Sequence, residues 1–299
     1  MPPSMIGEVL ALLGAGAYGL AGLSILRGQV TARGDNGVFL SVVVTAALSF
    51  LLWLVAGRVP LRVVIGGGGL PSLGFFALAG LASIVLGRMT MYRATVALGA
   101  VRASLLRRLT PVFAILFAVV LLGEVPRATT LLGGAIILGG VLIYLAPATG
   151  GARSRPPPPG GLAIGTASAL FYALSFILRR MGLDGVPDAA LGTCLGALAG
   201  GVWMLAAAAL RPGRGIRALT LDRGPWHWLA AGALSVGQIL QFFALQSASV
   251  AVVAILGALE VVFTALLILL FQPSEPVARG RFLLAAALAM AGTAVLMLG

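Results

Sequence analysis

Ten runs of apolar residues, each long enough for a helix, fill almost the whole chain: roughly 5–26, 36–56, 69–92, 96–120, 128–146, 160–179, 188–210, 226–246, 249–271 and 280–298. Few structures can bury so many such runs in water. A lipid bilayer accepts each of them directly, because about 20 apolar residues in a helix cross its hydrocarbon core. With 60% hydrophobic and 9% charged residues, the 299-residue chain has no room for a sizeable soluble domain. The expected solvent partner is therefore the bilayer. The first run carries Glu8, has no basic residue before it, and reads as a retained span rather than a signal peptide.

The net charge of +12 does not point to nucleic acid, because the arginines stand singly and in pairs between apolar segments and form no basic face. All 20 basic residues are Arg. A lysine proton carrier is thereby excluded. The one cysteine, Cys194, lies in an apolar run and excludes an intrachain disulfide or a Cys-rich metal site. No catalytic nucleophile with its base is visible, and the glycine run 66–69 lacks the lysine of a phosphate loop and reads as a loop. Neither enzyme activity, nor a metal, nor a cofactor is expected. His227 stands between Trp226 and Trp228 and reads as an anchor at the headgroup level.

The chain divides into residues 1–146 and 160–299, joined by a proline-rich linker over 147–159. The two parts resemble each other. Sliding by about 151 residues lays "TPVFAILFAVVLLGEVPRATTLLGGAIILGGVLIYL" over "VVFTALLILLFQPSEPVARGRFLLAAALAMAGTAVLML", with Glu124 on Glu275, and lays Arg27 on Arg179. Five helices per repeat is an odd number, so the second repeat would enter the membrane with opposite orientation. Inverted repeats of this kind build transporters whose site lies at mid-membrane between them. The fold class expected is all-α: ten transmembrane helices in two inverted five-helix repeats around a central cavity.

The first of these stretches resembles the end of an EamA repeat in the drug/metabolite transporter superfamily: Pro111 within the fourth helix, Gly123–Glu124 at its end, then a Gly-rich fifth helix. Within the superfamily the 5+5 pattern looks most like bacterial amino-acid exporters of the YddG type. The second repeat departs from it at Val262 and Ser274, where the first has Pro111 and Gly123. The resemblance implies alternating-access export of small polar metabolites, amino acids foremost, across a bacterial inner membrane, with both termini cytoplasmic and a monomer open as the working unit. A drug or cation exporter of the same fold and a membrane protein without substrate are the alternatives.

Orientation by arginine count disagrees with the resemblance. With the N-terminus inside, Arg58, Arg62, Arg127, Arg179 and Arg180 fall on the cytoplasmic side and eleven arginines fall outside. The positive-inside rule alone would put both termini outside.

The charges at membrane depth are the candidate substrate-binding residues. In "VRASLLRRLTP", a span starting near Val96 puts Arg107 and Arg108 at its middle, and the repeat offset brings Glu260 of the ninth span to the same depth. An arginine there costs about 2.5–3.5 kcal/mol on insertion scales and must face protein or water. The group is either a buried pair that locks two helices, or a site where an arginine holds a substrate carboxylate and Glu260 its ammonium. If transport is proton-linked, Glu260 is the expected carrier. Arg88 and Tyr92 lie one turn apart on the third span, and Gln238 and Gln241 share a face of the eighth. Tyr18, Tyr172 and Trp203 could line a cavity or simply pack. Arg27 and Arg179 end the first helix of each repeat and are expected to reach toward the interface. Glu124 and Glu275, each close before a proline, are expected to cap the helix that follows.

Overall fold

In lipid every backbone N–H and C=O must find its partner within the chain, and the regular structure described is helical throughout. The computed structural model describes residues 3–66, 69–98, 106–145, 159–210, 215–271 and 279–298. The linker at 147–159, apart from its last residue, and Glu275 lie outside them. The helices are α1 (Pro3–Gln29), α2 (Val38–Ala56), the short α3 (Leu61–Gly66), α4 (Leu70–Gly80), α5 (Arg88–Leu98), α6 (Thr110–Phe117) and α7 (Ala128–Leu145). After the linker come α8 (Pro159–Gly185), α9 (Ala189–Ala209), α10 (Pro225–Ser247), α11 (Val250–Gly257), α12 (Glu260–Phe271) and α13 (Arg279–Met297). Among the described residues seven helical stretches are long and apolar enough to cross a membrane, and three more, within Thr110–Leu122, Ala128–Ile143 and Leu283–Leu296, are shorter and apolar. Large apolar side chains such as Leu54, Leu132, Val202 and Leu283 stand exposed on the outside of the bundle. That surface belongs against acyl chains.

The third and fourth spans differ from expectation. α4 continues through a π-turn, Leu81–Gly87, into α5, so that the third span, expected to end at 92, runs on to Leu98 and takes in the start of what was expected as the fourth. At the end of the π-turn the Gly87 carbonyl accepts from Ser168 Oγ of α8 at 2.8 Å and from Thr90 Oγ1 at 3.1 Å. The fourth span, expected as one helix over 96–120, is broken at Arg108–Leu109: Leu109 N–H donates back only three residues, to Leu106 O, and α6 starts afresh at Thr110–Pro111. Pro111 has no N–H to give and favours a helix start. The ninth span breaks at the matching place. Ala258 and Leu259 donate to Ile255 and Leu256, three residues back, before α12 begins at Glu260.

Packing is reciprocal between the two halves. α1 lies along α10 and against the broken pair α11–α12, while α8 lies along α4–α5 and against the broken α6. α2 packs on α9, and α7 on α13. Small residues allow the close crossings. A Cβ on Gly133 would overlap the backbone of Gly292, and one on Gly80 the backbone of Gly196.

Each end of the bundle is tied by a buried carboxylate. At one end Asp222 accepts from the backbone N–H groups of Arg33, Gly34 and Asn36 at 2.6, 2.9 and 2.7 Å. Burial works to raise its carboxyl, but those three donors outweigh it and hold it below the ordinary aspartate range. His227 beside it is buried, takes the Gly224 N–H on Nδ1 at 3.2 Å, and lies against Gly28 and Gly37. It is therefore not the headgroup anchor expected, although Trp228 is exposed and the Trp226 ring lies 4.4 Å under the Arg27 guanidinium. At the other end Asp188 caps α9 through Leu191 N–H and also accepts from Arg58 N–H at 2.8 Å. Glu124 does cap a helix, but not the one that follows it: it accepts from Val250 N–H, at the start of α11, at 3.0 Å. Burial, partly offset by that N–H, lifts its carboxyl above the usual range.

Candidate functional site

Unravelled backbone at membrane depth is tolerated only where it is covered by protein or lines a cavity. The two breaks meet at one. A cavity of about 410 Å³ lies between the halves, within the ordinary size range of small-molecule sites. Seven of the eight residues nominated from the sequence line it: Tyr18, Arg88, Arg107, Arg108, Gln238, Gln241 and Glu260. The side chain of the eighth, Tyr92, lies outside the described ones. Trp203 does not line it and stands partly exposed on α9. Cys194 is a buried free thiol, also away from the lining.

One wall is built by the breaks themselves. Arg108, 8% exposed, donates from Nη2 to Glu260 Oε1 at 2.9 Å and from Nη1 to the Ala258 carbonyl at 3.3 Å. That carbonyl belongs to the turn where the ninth span is interrupted, so the arginine of one broken helix satisfies the break of the other. Arg107 reaches the same Glu260 oxygen at 3.5 Å, remains 36% exposed, and lies 5.1 Å over the Tyr172 ring. One carboxylate thus faces two guanidiniums.

The other wall was not foreseen. Arg179 does not turn outward; it is 4% exposed and lines the cavity from the last third of α8. The reason is local: α8 runs on to Gly185, two turns past the apolar run that was expected to end at 179. Its Nη1 donates to Gln241 Oε1 at 2.7 Å, its Nη2 reaches Ser83 Oγ at 3.5 Å, and its guanidinium lies 4.7 Å over the Phe242 ring. Phe242 is fully buried and meets Phe76 edge-on, with centroids 6.1 Å apart. All these partners are neutral. The repeat alignment had matched Arg179 to Arg27, which donates to the Phe271 carbonyl instead. Only the doubled "RR" at 179–180 could have singled it out. Arg180 takes the outward role, donating to Leu245 O and pairing with Asp184 at 3.2 Å.

Among the described lining residues there are four guanidiniums, Arg88, Arg107, Arg108 and Arg179, and one carboxylate, Glu260. Three buried nitrogens of these arginines, Arg88 Nη1, Arg108 Nε and Arg179 Nε, have no hydrogen-bond partner among the described residues. Buried donors of this kind are normally satisfied. The arrangement can grip an anionic group by planar forks on a fixed positive field.

Comparison with known proteins agrees with this architecture. No curated protein matches the sequence. A solved crystal structure, described only as that of a protein, superposes on 99% of this chain and 97% of its own at TM-score 0.72 and 19% identity, which establishes a shared fold. Residues 5–146 match the profile of the EamA-like transporter family. The first half of this multi-pass membrane protein is thus similar to the EamA-like transporter family.

Proposed function

We propose that the chain is a secondary transporter that exports small polar metabolites, amino acids foremost, by alternating access between two inverted five-helix repeats, residues 1–146 and 160–299. The observation that carries this is the pair of interrupted helices whose breaks deliver Arg107, Arg108 and Glu260 to one cavity wall. Discontinuous helices at mid-membrane are where transporters of inverted repeats hold their substrates. The reciprocal packing supports the repeat, since α1 on α10 and α8 on α4–α5 exchange under a two-fold axis, while α2 with α9 and α7 with α13 lie across it.

In this mechanism Arg107, the more exposed of the pair, takes the substrate carboxylate on its fork. Arg108 holds Glu260 in place, and Glu260 accepts the substrate ammonium. Tyr172 fixes the Arg107 plane from beneath. The end ties at Asp222 and Asp188 are the contacts that must part when the cavity opens to one side or the other. A cation exporter is disfavoured by the excess of guanidiniums, and a protein without substrate by the unmatched donors. The localisation proposed is a bacterial inner membrane with both termini cytoplasmic.

Proteoliposome counterflow with a panel of amino acids tests this reading. A transporter of the proposed kind moves at least one of them faster than empty vesicles do. Arg107→Lys keeps the charge but loses the fork, and should raise the apparent KM for carboxylate substrates about tenfold while leaving thermal stability nearly intact. Normal transport in that variant with only stability reduced would make the group a structural lock. Labelling a single cysteine at position 2 or 299 in intact cells decides the orientation.

A further inference from the structure

The cavity has two basic poles, and the proposed function uses one of them. The first holds Arg107 and Arg108 around Glu260. The second is Arg179, whose described hydrogen-bond partners, Gln241 and Ser83, are neutral. Tyr172, under Arg107, and Arg179 stand seven residues apart on α8, two turns or about 10 Å along the axis. The poles therefore occupy separate levels of one cavity. Arg88, five residues beyond Ser83 on the third span, follows Gly87, which lies against Tyr172, and so belongs to the first pole's side of the cavity.

Packing alone gives poor reason to keep Arg179. A guanidinium with no carboxylate beside it pays the desolvation cost of a buried charge without Coulombic return. Its Nε has no partner among the described residues, and one face is covered by the Phe242 ring. Such a group is complete only when an anion reaches it. Gln241 is set to assist: its Oε1 orients Arg179 at 2.7 Å, whereas a glutamate there would quench the charge.

The geometry points to a substrate with two anionic groups. One carboxylate is taken at Arg107, and a second anionic group, a carboxylate or a phosphate monoester, is taken at Arg179. Built on the amino-acid reading, this makes acidic amino acids the preferred cargo, their ammonium going to Glu260. The shared chemistry, two anionic groups on one small molecule, extends to dicarboxylates that lack the ammonium.

The test uses purified full-length protein in proteoliposomes, with uptake of L-glutamate, L-glutamine and glutarate measured side by side. Glutamate should exceed glutamine by about tenfold or more, the worth of one charge-assisted contact. In Gln241→Glu, nearly isosteric and self-neutralising, that ratio should fall to near one. Arg179→Gln should do the same, and a melting-temperature shift with glutamate in detergent provides a second readout that needs no turnover. Glutamine moving as fast as glutamate in the unmodified protein would overturn the two-anion inference and leave amino-acid transport standing. Glutarate moving while no amino acid does would overturn the amino-acid reading and uphold the two-anion site. Neither transport nor a thermal shift with any of the three would overturn both.

Discussion

The chain buries charge in two ways, and the contrast separates support from function. The carboxylates at the ends of the bundle are well satisfied: Asp222 collects three backbone N–H donors from the one segment 33–36, and Asp188 collects three from two segments, 58–59 and Leu191. Among the described residues the charges around the cavity are unmatched, with four guanidiniums to one carboxylate and three of their nitrogens without a partner. Saturated charge holds loops together. Unmatched charge waits for something that is not protein.

The sharpest way to break this contrast is Glu260→Gln, which strands the buried Arg108 and the half-exposed Arg107. It should cost about 3–5 kcal/mol of stability, the typical penalty for removing one partner of a buried pair, seen as a large drop in thermal unfolding temperature in detergent. Asp222→Asn comes next. It keeps the shape but weakens three charge-assisted bonds, for an expected loss of about 2 kcal/mol. Because its folded carboxyl lies below the ordinary value of 3.8, that stabilisation is fully present above 3.8 and disappears as pH falls through the depressed folded value. The wild-type unfolding temperature should therefore drop faster with acid than that of the Asn variant; parallel curves would remove Asp222 from the account. Arg179→Gln stands last, with a stability change close to zero or favourable, since an unneutralised charge leaves the interior. A loss as large as that of Glu260→Gln would show that Arg179 is structural after all and collapse the distinction.

Much of this organisation was legible in the sequence, and its gaps have physical causes. Apolar runs locate spans because bilayer thickness leaves little choice of length. The repeat offset singled out Glu260 beside Arg108 because, under the two-fold proposed above, equivalent positions lie at the same depth. The break at Arg108 was marked by Pro111, yet the interruption at Ala258–Leu259 follows only Gly257 and Ala258, with no proline to signal it. Glu124 was recognisable as a capping carboxylate but not as the cap of α11, because capping across the fold leaves no local pattern. Arg179 was misplaced for a related reason. A doubled arginine at the end of an apolar run looks alike whether one of the pair turns inward or both turn outward.

A π-turn is a helix with one residue to spare, and the one at Leu81–Gly87 sets a phase. Everything beyond it on the third span is rotated by about 100° from where a regular helix would have carried it. α4 can therefore keep its small face on α9 while Arg88, the first residue past the turn, faces the cavity. Had the span been one residue shorter there, hydropathy and composition would be almost unchanged, but the charge would be turned elsewhere. Which way this bundle presents its field thus depends on a single surplus residue, at a turn whose end is tied to α8 by the Ser168 hydroxyl on the Gly87 carbonyl.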